Sequence, residues 1–287
     1  MAQRKVILSA DSTCDLGEEL KARYDVQYYP FHIILEGKDY QDNVDIHVSE
    51  IFQAYRDRKA LPRTAAINVE EYVEYFRPWV DQGYDVIHFC LGGALSSSQR
   101  NCVLASREFP GRVFPIDSCN LSTGIGLQII EAGERIQAGM SAAEVAQAME
   151  GIIPHCHASF ILDTLEFMRA GGRCSAVVAI GANLLALKPC IEVNSQDGSM
   201  RVGKKYRGQL KKVLAQYVRD KLTQYDNIKR GPRFIPYTTI DPSYVELVRK
   251  TVQEVMDFKE IHITTASCTI ACHCGPNTLG ILFETES

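Results

Sequence analysis

Three consecutive serines, Ser96, Ser97 and Ser98, follow two glycines, Gly92 and Gly93, at the end of the apolar run Val86–Leu91. The run is long enough for one buried strand, and the glycines mark a turn. The serines fall where a helix would begin, ahead of Val103 and Leu104. Strand, glycine turn, hydroxyls and helix together bring backbone N–H groups and a positive dipole end to the top of a parallel sheet. A carboxylate or a phosphate is the chemistry such a spot receives. Polar groups recur at two similar places: Asp11-Ser12-Thr13 after the strand expected at Lys5–Leu8, and Asp117-Ser118 after Val113–Ile116. Ligands of open parallel sheets sit at those strand ends.

Each residue also has a plainer role open to it. Ser96 can be only a helix cap, and Asp11 can do no more than hold a loop by backbone hydrogen bonds. Arg173, after Gly171-Gly172, can be a surface residue or the partner of a helix C-terminus. No catalytic residue is assigned. A serine hydrolase needs Gly-x-Ser-x-Gly, which Gly93-Ala94-Leu95-Ser96 does not match, and no motif places a base beside Ser96. Gly124-Ile125-Gly126 does not stand directly after a strand, as a dinucleotide-binding turn must. Cys268, Cys272, Cys274 and His273, and separately His155-Cys156-His157, are ligand types without Cys-x-x-Cys spacing. Neither metal nor cofactor is expected.

The elements that must position these groups follow from periodicity. The chain has 287 residues, 46% hydrophobic and 23% charged, which suits one large domain or two ordinary ones. A net charge of −4 gives no sign of a nucleic-acid binder. No apolar run approaches the ~20 residues of a membrane span, so no stable membrane insertion is expected. The N-terminus meets polar residues too soon for a signal peptide and reads as a first strand, so a cytoplasmic location is expected. The ten cysteines are scattered, and free buried thiols are expected rather than disulfides.

Strands and helices alternate through the first half. The fold class is therefore α/β, with a parallel sheet covered by helices on both faces over residues 1–157. Asp15 or Thr13 is expected to cap a helix over Leu16–Tyr24, and Leu61–Thr64 to be a loop. Asn68 with Glu71 and Ser141 with Glu144 are capping-box patterns, and Pro78 should kink or shorten its helix. The second half, 158–287, reads as an α+β domain, with a boundary near Pro154–Ser159. Gln196-Asp197-Gly198 is a hairpin signal. Ala176–Ala186 is expected to be an apolar helix that Pro189 ends.

Several motifs in order resemble one known family. They are Asp11-Ser12-Thr13-Cys14-Asp15-Leu16, Tyr29-Pro30-Phe31 through Asp42, Leu95-Ser96-Ser97-Ser98, and Asp117-Ser118 with Ser122 and Gly124-Ile125-Gly126. The most specific is Asp163-Thr164-Leu165-Glu166-Phe167-Met168-Arg169-Ala170-Gly171-Gly172-Arg173, continuing to Leu187-Lys188-Pro189. His273-Cys274-Gly275-Pro276-Asn277-Thr278-Leu279-Gly280 completes the set. Together they resemble the DegV proteins, bacterial fatty-acid-binding proteins, over essentially the whole chain. The resemblance implies a fatty acid held between two domains, its carboxylate met by Thr64, Ser96, Arg173 and His273. It also implies, for some members, delivery of the acid to a separate fatty acid kinase subunit that phosphorylates it. The chain departs from the family pattern at Ala65-Ala66-Ile67, where Ser-Gln-Pro is usual, and at Ser97 and Asn277, where glycine is usual.

The chemistry of a fatty acid fits the residues independently. A buried methylene contributes roughly 0.8 kcal/mol, so about fifteen give on the order of 12 kcal/mol, enough to exceed the cost of association. The carboxylate must not be stranded in an apolar site. The expected ligand-binding set is Thr64, Ser96, Ser97, Arg173, His273, Ser118 and Asp11. Ile161, Leu162, Phe167, Met168, Ile180, Leu184 and Leu185 are candidates for a tunnel wall. The competing function class is a hydrolase or transferase acting on a small acyl substrate.

Overall fold

The computed structural model describes residues 4–178 and 187–286. Strands β1 (Val6–Asp11), β2 (Gln27–Tyr29), β6 (Asp85–Cys90) and β7 (Val113–Asp117) form a parallel sheet in the order β2-β1-β6-β7. Val86 through Cys90 of β6 are all buried, as a central parallel strand covered on both faces requires. Helices α3 (Val69–Asp81) and α4 (Ser98–Ser106) pack together against β6 and β7, while α5 (Thr123–Gln137) and α6 (Ala142–Ile152) pack together on the same sheet.

A second, six-stranded sheet is mostly antiparallel. It comprises β8 (Cys156–Ile161), β9 (Leu187–Val193), β10 (Met200–Arg207), β11 (Pro232–Tyr237), β12 (Glu260–Thr265) and β13 (Leu279–Glu284), ordered β10-β9-β8-β13-β11-β12. Helices α9 (Leu210–Leu222) and α10 (Pro242–Val255) pack together and bury their apolar sides with Ile161, Cys190, Leu279 and Ile281 of the sheet. Helix α5 touches β8, β11 and β13 as well as the parallel sheet. Burial runs almost unbroken from Thr123 to Ile130, as a helix held between two sheets requires. A Cβ on Gly133 would fall 2.3 Å from a ring carbon of Tyr24, so this glycine is needed for the close approach.

A small antiparallel sheet, β4-β3-β5, joins β3 (His32–Leu35), β4 (Lys38–Gln41) and β5 (Arg63–Ala65). Here the expectation of a loop at Leu61–Thr64 is corrected. Thr64 is in β5 and pairs with Ile33, since the exposed chain gains an edge partner that local sequence does not announce. The helix expected over Leu16–Tyr24 is α1 (Glu18–Arg23), preceded by Gly17 rather than capped by Asp15 or Thr13. Helix α3 runs through Pro78 to Asp81: a proline three residues from the end sacrifices one bond without breaking the last turn. Pro189 lies inside β9, beside a shift in the β9–β10 register, a position where strands tolerate proline. Residues 179–186, including Ile180, Leu184 and Leu185, lie outside those described. Both capping boxes and the hairpin form as expected. No helix among the described residues is long and apolar enough to cross a membrane.

The least expected element is α11 (Cys268–Cys274), whose start is held from the other half of the chain. Asp15 accepts the Ser267 N–H at 2.8 Å and the Ser122 hydroxyl. Asp42 accepts the Cys268 and Thr269 N–H groups at 2.8 and 3.2 Å, and the Ser12 hydroxyl at 2.9 Å. The unpaired amides of a helix start thus find buried carboxylates.

Burial pushes the Asp15 carboxyl up to about 7. Between the ordinary carboxylate range and that value the folded protein keeps a proton the unfolded chain has released, so stability falls as pH rises through the window. Asp15→Asn removes this titration and retains an acceptor for Ser267. Urea denaturation should show the variant gaining on the parent between pH 4 and pH 8, by on the order of 4 kcal/mol. An identical difference at both pH values would refute the assignment.

Candidate functional site

The parallel strands end facing the second sheet, and a cavity opens between them. It holds about 520 Å³ of space, counting its mouth. The loop after β6 contributes Leu91, Leu95 and Ser96, and β8 contributes Phe160. Helix α7 (Glu166–Gly171) gives Met168, followed by Arg173, and α11 gives Ile270, His273 and Cys274. Thr64 enters from the small sheet. Carbon therefore dominates the walls, with five polar side chains, Thr64, Ser96, Arg173, His273 and Thr269, among them.

Four of them are held by hydrogen bonds. Thr64 Oγ1 lies 2.9 Å from His273 Nε2. Arg173 donates to the carbonyls of Leu95 at 3.3 Å and Gly171 at 2.6 Å. Ser96 Oγ accepts the Ser98 N–H at 3.2 Å and donates to Ser98 Oγ, which also accepts the Ile67 N–H. The hydroxyl of Ser96 therefore braces the start of α4 while it lines the cavity. Helix α4 itself begins at Ser98, and Ser97 precedes it without a side-chain cap bond.

Burial, then the neighbouring Arg173 charge, lowers His273 to about 4, so the ring is neutral at neutral pH. Its Nδ1 is buried without a hydrogen-bond partner. A Cβ on Gly171 would fall 2.1 Å from that atom, so only glycine lets the ring sit there. Among the described residues no carboxylate pairs with Arg173. Hydroxyls, a neutral imidazole and an arginine without an acid make a site short of one anion.

A second cavity, about 340 Å³ counting the open space at its mouth, adjoins the first, with Leu121, Phe160, Ile270 and Cys274 as common walls. Pro236, Gly280 and Leu282 extend it along the second sheet, and its surface is almost wholly carbon.

Of the residues singled out from sequence, Thr64, Ser96, Arg173, His273 and Met168 come together. Six others do not line the cavity, and the reasons are physical. Ser97 is exposed. Ser118 is buried and bonds the Asn120 peptide. Asp11 is buried and accepts the Tyr72 hydroxyl at 2.8 Å, His88 Nε2 at 3.0 Å and the Leu91 N–H at 2.8 Å, which makes it a latch on the loop. Ile161 faces α9 and α10, because alternation along β8 sends Phe160 to the cavity instead. Phe167 turns to Phe52 and Tyr55, with ring centroids 5.6 and 4.7 Å away. Leu162 is core too.

Sequence reasoning missed Leu91, Leu95, Leu121, Phe160, Ile270 and Cys274. Period two would have chosen Phe160 over Ile161. Ile270, His273 and Cys274 share one face of α11, a pattern readable only once that helix is known. All ten cysteines are free, and only Cys119 is not fully buried. The Cys268–Cys274 set does not converge as metal ligands. The cluster that does is His88, Cys90 and Cys102, where both histidine nitrogens are already engaged by Ser9 and Asp11.

Comparison with known proteins gives a consistent picture. A family model described as "Uncharacterised protein, DegV family" matches residues 5–286. A DegV domain-containing protein of Deinococcus radiodurans is 28% identical over 281 residues, covering 97% of this chain and 98% of that one. A solved DegV family protein from Thermus thermophilus, described for its fatty acid binding, superposes with a TM-score of 0.88 at 28% identity, covering 98% and 100% of the two chains. A stearic acid-binding protein from Eubacterium ventriosum shares the fold, with a TM-score of 0.83 at 23% identity over 98% of each chain. With a family model spanning nearly every residue, the chain belongs to the DegV family.

Proposed function

We propose that this protein binds a long-chain fatty acid between two domains, 1–157 and 158–287. The carboxylate rests among Thr64, Ser96, Arg173 and His273, and the tail occupies the two adjoining apolar cavities. The observation that carries the reading is an arginine without an acid, beside a hydroxyl–imidazole pair, in the wall of a mostly apolar cavity. The similar Thermus thermophilus protein, described for fatty acid binding, supports it. Charge-assisted hydrogen bonds meet the need of a carboxylate that would otherwise be stranded, and the apolar walls bury methylenes.

We read the chain as a carrier rather than an enzyme. The Thr64–His273 pair has the elements of nucleophile and base, yet a histidine lowered to about 4 is a poor base at neutral pH. No third group orients its Nδ1. Arg173 is exposed, so the carboxylate end faces the side from which another protein would take it. The reading extends, through the family resemblance, to presentation of that carboxylate to a fatty acid kinase subunit for acyl-phosphate formation.

Mass spectrometry of the denatured protein should reveal co-purified fatty acid. An empty site together with turnover of an ester substrate would favour the hydrolase instead. Ser96→Ala and Thr64→Val should each weaken fatty-acid binding by on the order of tenfold, the worth of one hydrogen bond to a charged group. Both ligand-free variants should remain folded, Ser96→Ala melting a few degrees lower because it loses the bond that braces the start of α4. Unchanged affinity in the double variant would remove these two residues from the head-group site.

A further inference from the structure

We propose that the tail path has a rear gate at Ala266, and that this residue decides how chains longer than the enclosed space are treated. The inference rests on the fatty-acid reading and adds to it the length selectivity of the same site.

Three spaces lie in series. The front and rear cavities meet at Leu121, Phe160, Ile270 and Cys274. The rear cavity and an outer groove of about 870 Å³ then have Tyr237, Thr238 and Ala266 as common walls. The groove is more polar than the cavities, with Glu18, His47, Ser49, Thr239 and Thr265 on its sides. Ala266 has the smallest side chain of the three residues at the junction.

The frame of the gate is fixed. The Ala266 N–H donates to the Tyr237 carbonyl at 2.8 Å, and the next residue, Ser267, is anchored to Asp15. Thr238 Oγ1 donates to the Gly275 carbonyl at 2.8 Å and accepts the Thr278 N–H at 3.0 Å, so its side chain is not free to swing across. The wall between the rear cavity and the groove is thus one small side chain on a rigid frame.

A gate and a closed end predict different length dependences. Each methylene that enters the cavities raises affinity by about fourfold. Past a gate, further methylenes meet water and polar walls, so affinity levels off. Against a closed end they would overpack the core, and affinity would fall.

The test is calorimetric titration of the full chain with straight saturated acids from decanoic to docosanoic, presented from cyclodextrin. For the parent, affinity should climb with length and then reach a plateau. Ala266→Phe should turn the plateau into a fall, weakening the longest acids by on the order of tenfold while changing decanoic acid less than about threefold, since overpacking penalises only chains that reach the gate. Ala266→Val should show the same trend more weakly and serves if the phenylalanine variant does not fold. A fall in the parent beyond its optimum, or an unaltered long-to-short ratio in a folded variant, would overturn the gate. Failure of the parent to bind any acid would overturn the fatty-acid reading itself, a distinct result.

Discussion

Two buried carboxylates hold this molecule's working parts together. Asp15 and Asp42 belong to the first half of the chain, and the amides they accept belong to the start of α11 in the second. Helix α11 carries Ile270, His273 and Cys274 into the cavity. A seven-residue helix has little stability of its own, so its position comes from its ends and its packing. Unpaired, either carboxylate would be costly where it lies; hydrogen-bonded to backbone and hydroxyl groups, each becomes a fixed tether. The cavity wall inherits that fixity.

Electrostatics at the other end of α11 is arranged in the opposite sense. There the charge is left open rather than closed. His273 is kept neutral by burial and by Arg173, and Arg173 itself meets only carbonyls. One end of α11 is thus met by acids of the protein, while at the other no carboxylate among the described residues pairs with the arginine. The carbon walls between exclude water, which strengthens each contact a carboxylate would make.

Much of this was legible in the sequence, and the gaps have physical causes. Alternating strands and helices identified the parallel sheet because its central strands are apolar throughout. Capping boxes at Asn68 and Ser141 are local chemistry and were read correctly. Thr64, Ser96, Arg173 and His273 stood out through motifs rather than periodicity. What escaped was set by tertiary contact. Strand β5 exists because β3 offers it an edge. Helix α11 exists because distant acids cap it. Asp11 looked like a ligand because it ends a strand, yet its three bonds point inward, to the loop it secures. Among the wall residues, Phe160 rather than Ile161 faces the cavity. A shift of one position along a strand exchanges its two sides, so patterns that ignore the pleat choose the wrong neighbour.

The polar groups of the site come from three separate sheets or their connections. Thr64 is borne by the small antiparallel sheet and Ser96 by the parallel one, while Arg173 and His273 lie in the β8–β9 and β12–β13 connections of the third. No single sheet owns enough of them to grip an anion. The site is therefore a property of the finished assembly: these polar groups meet only once all three sheets have come together, and a chain severed between the halves would not bring them into one cavity.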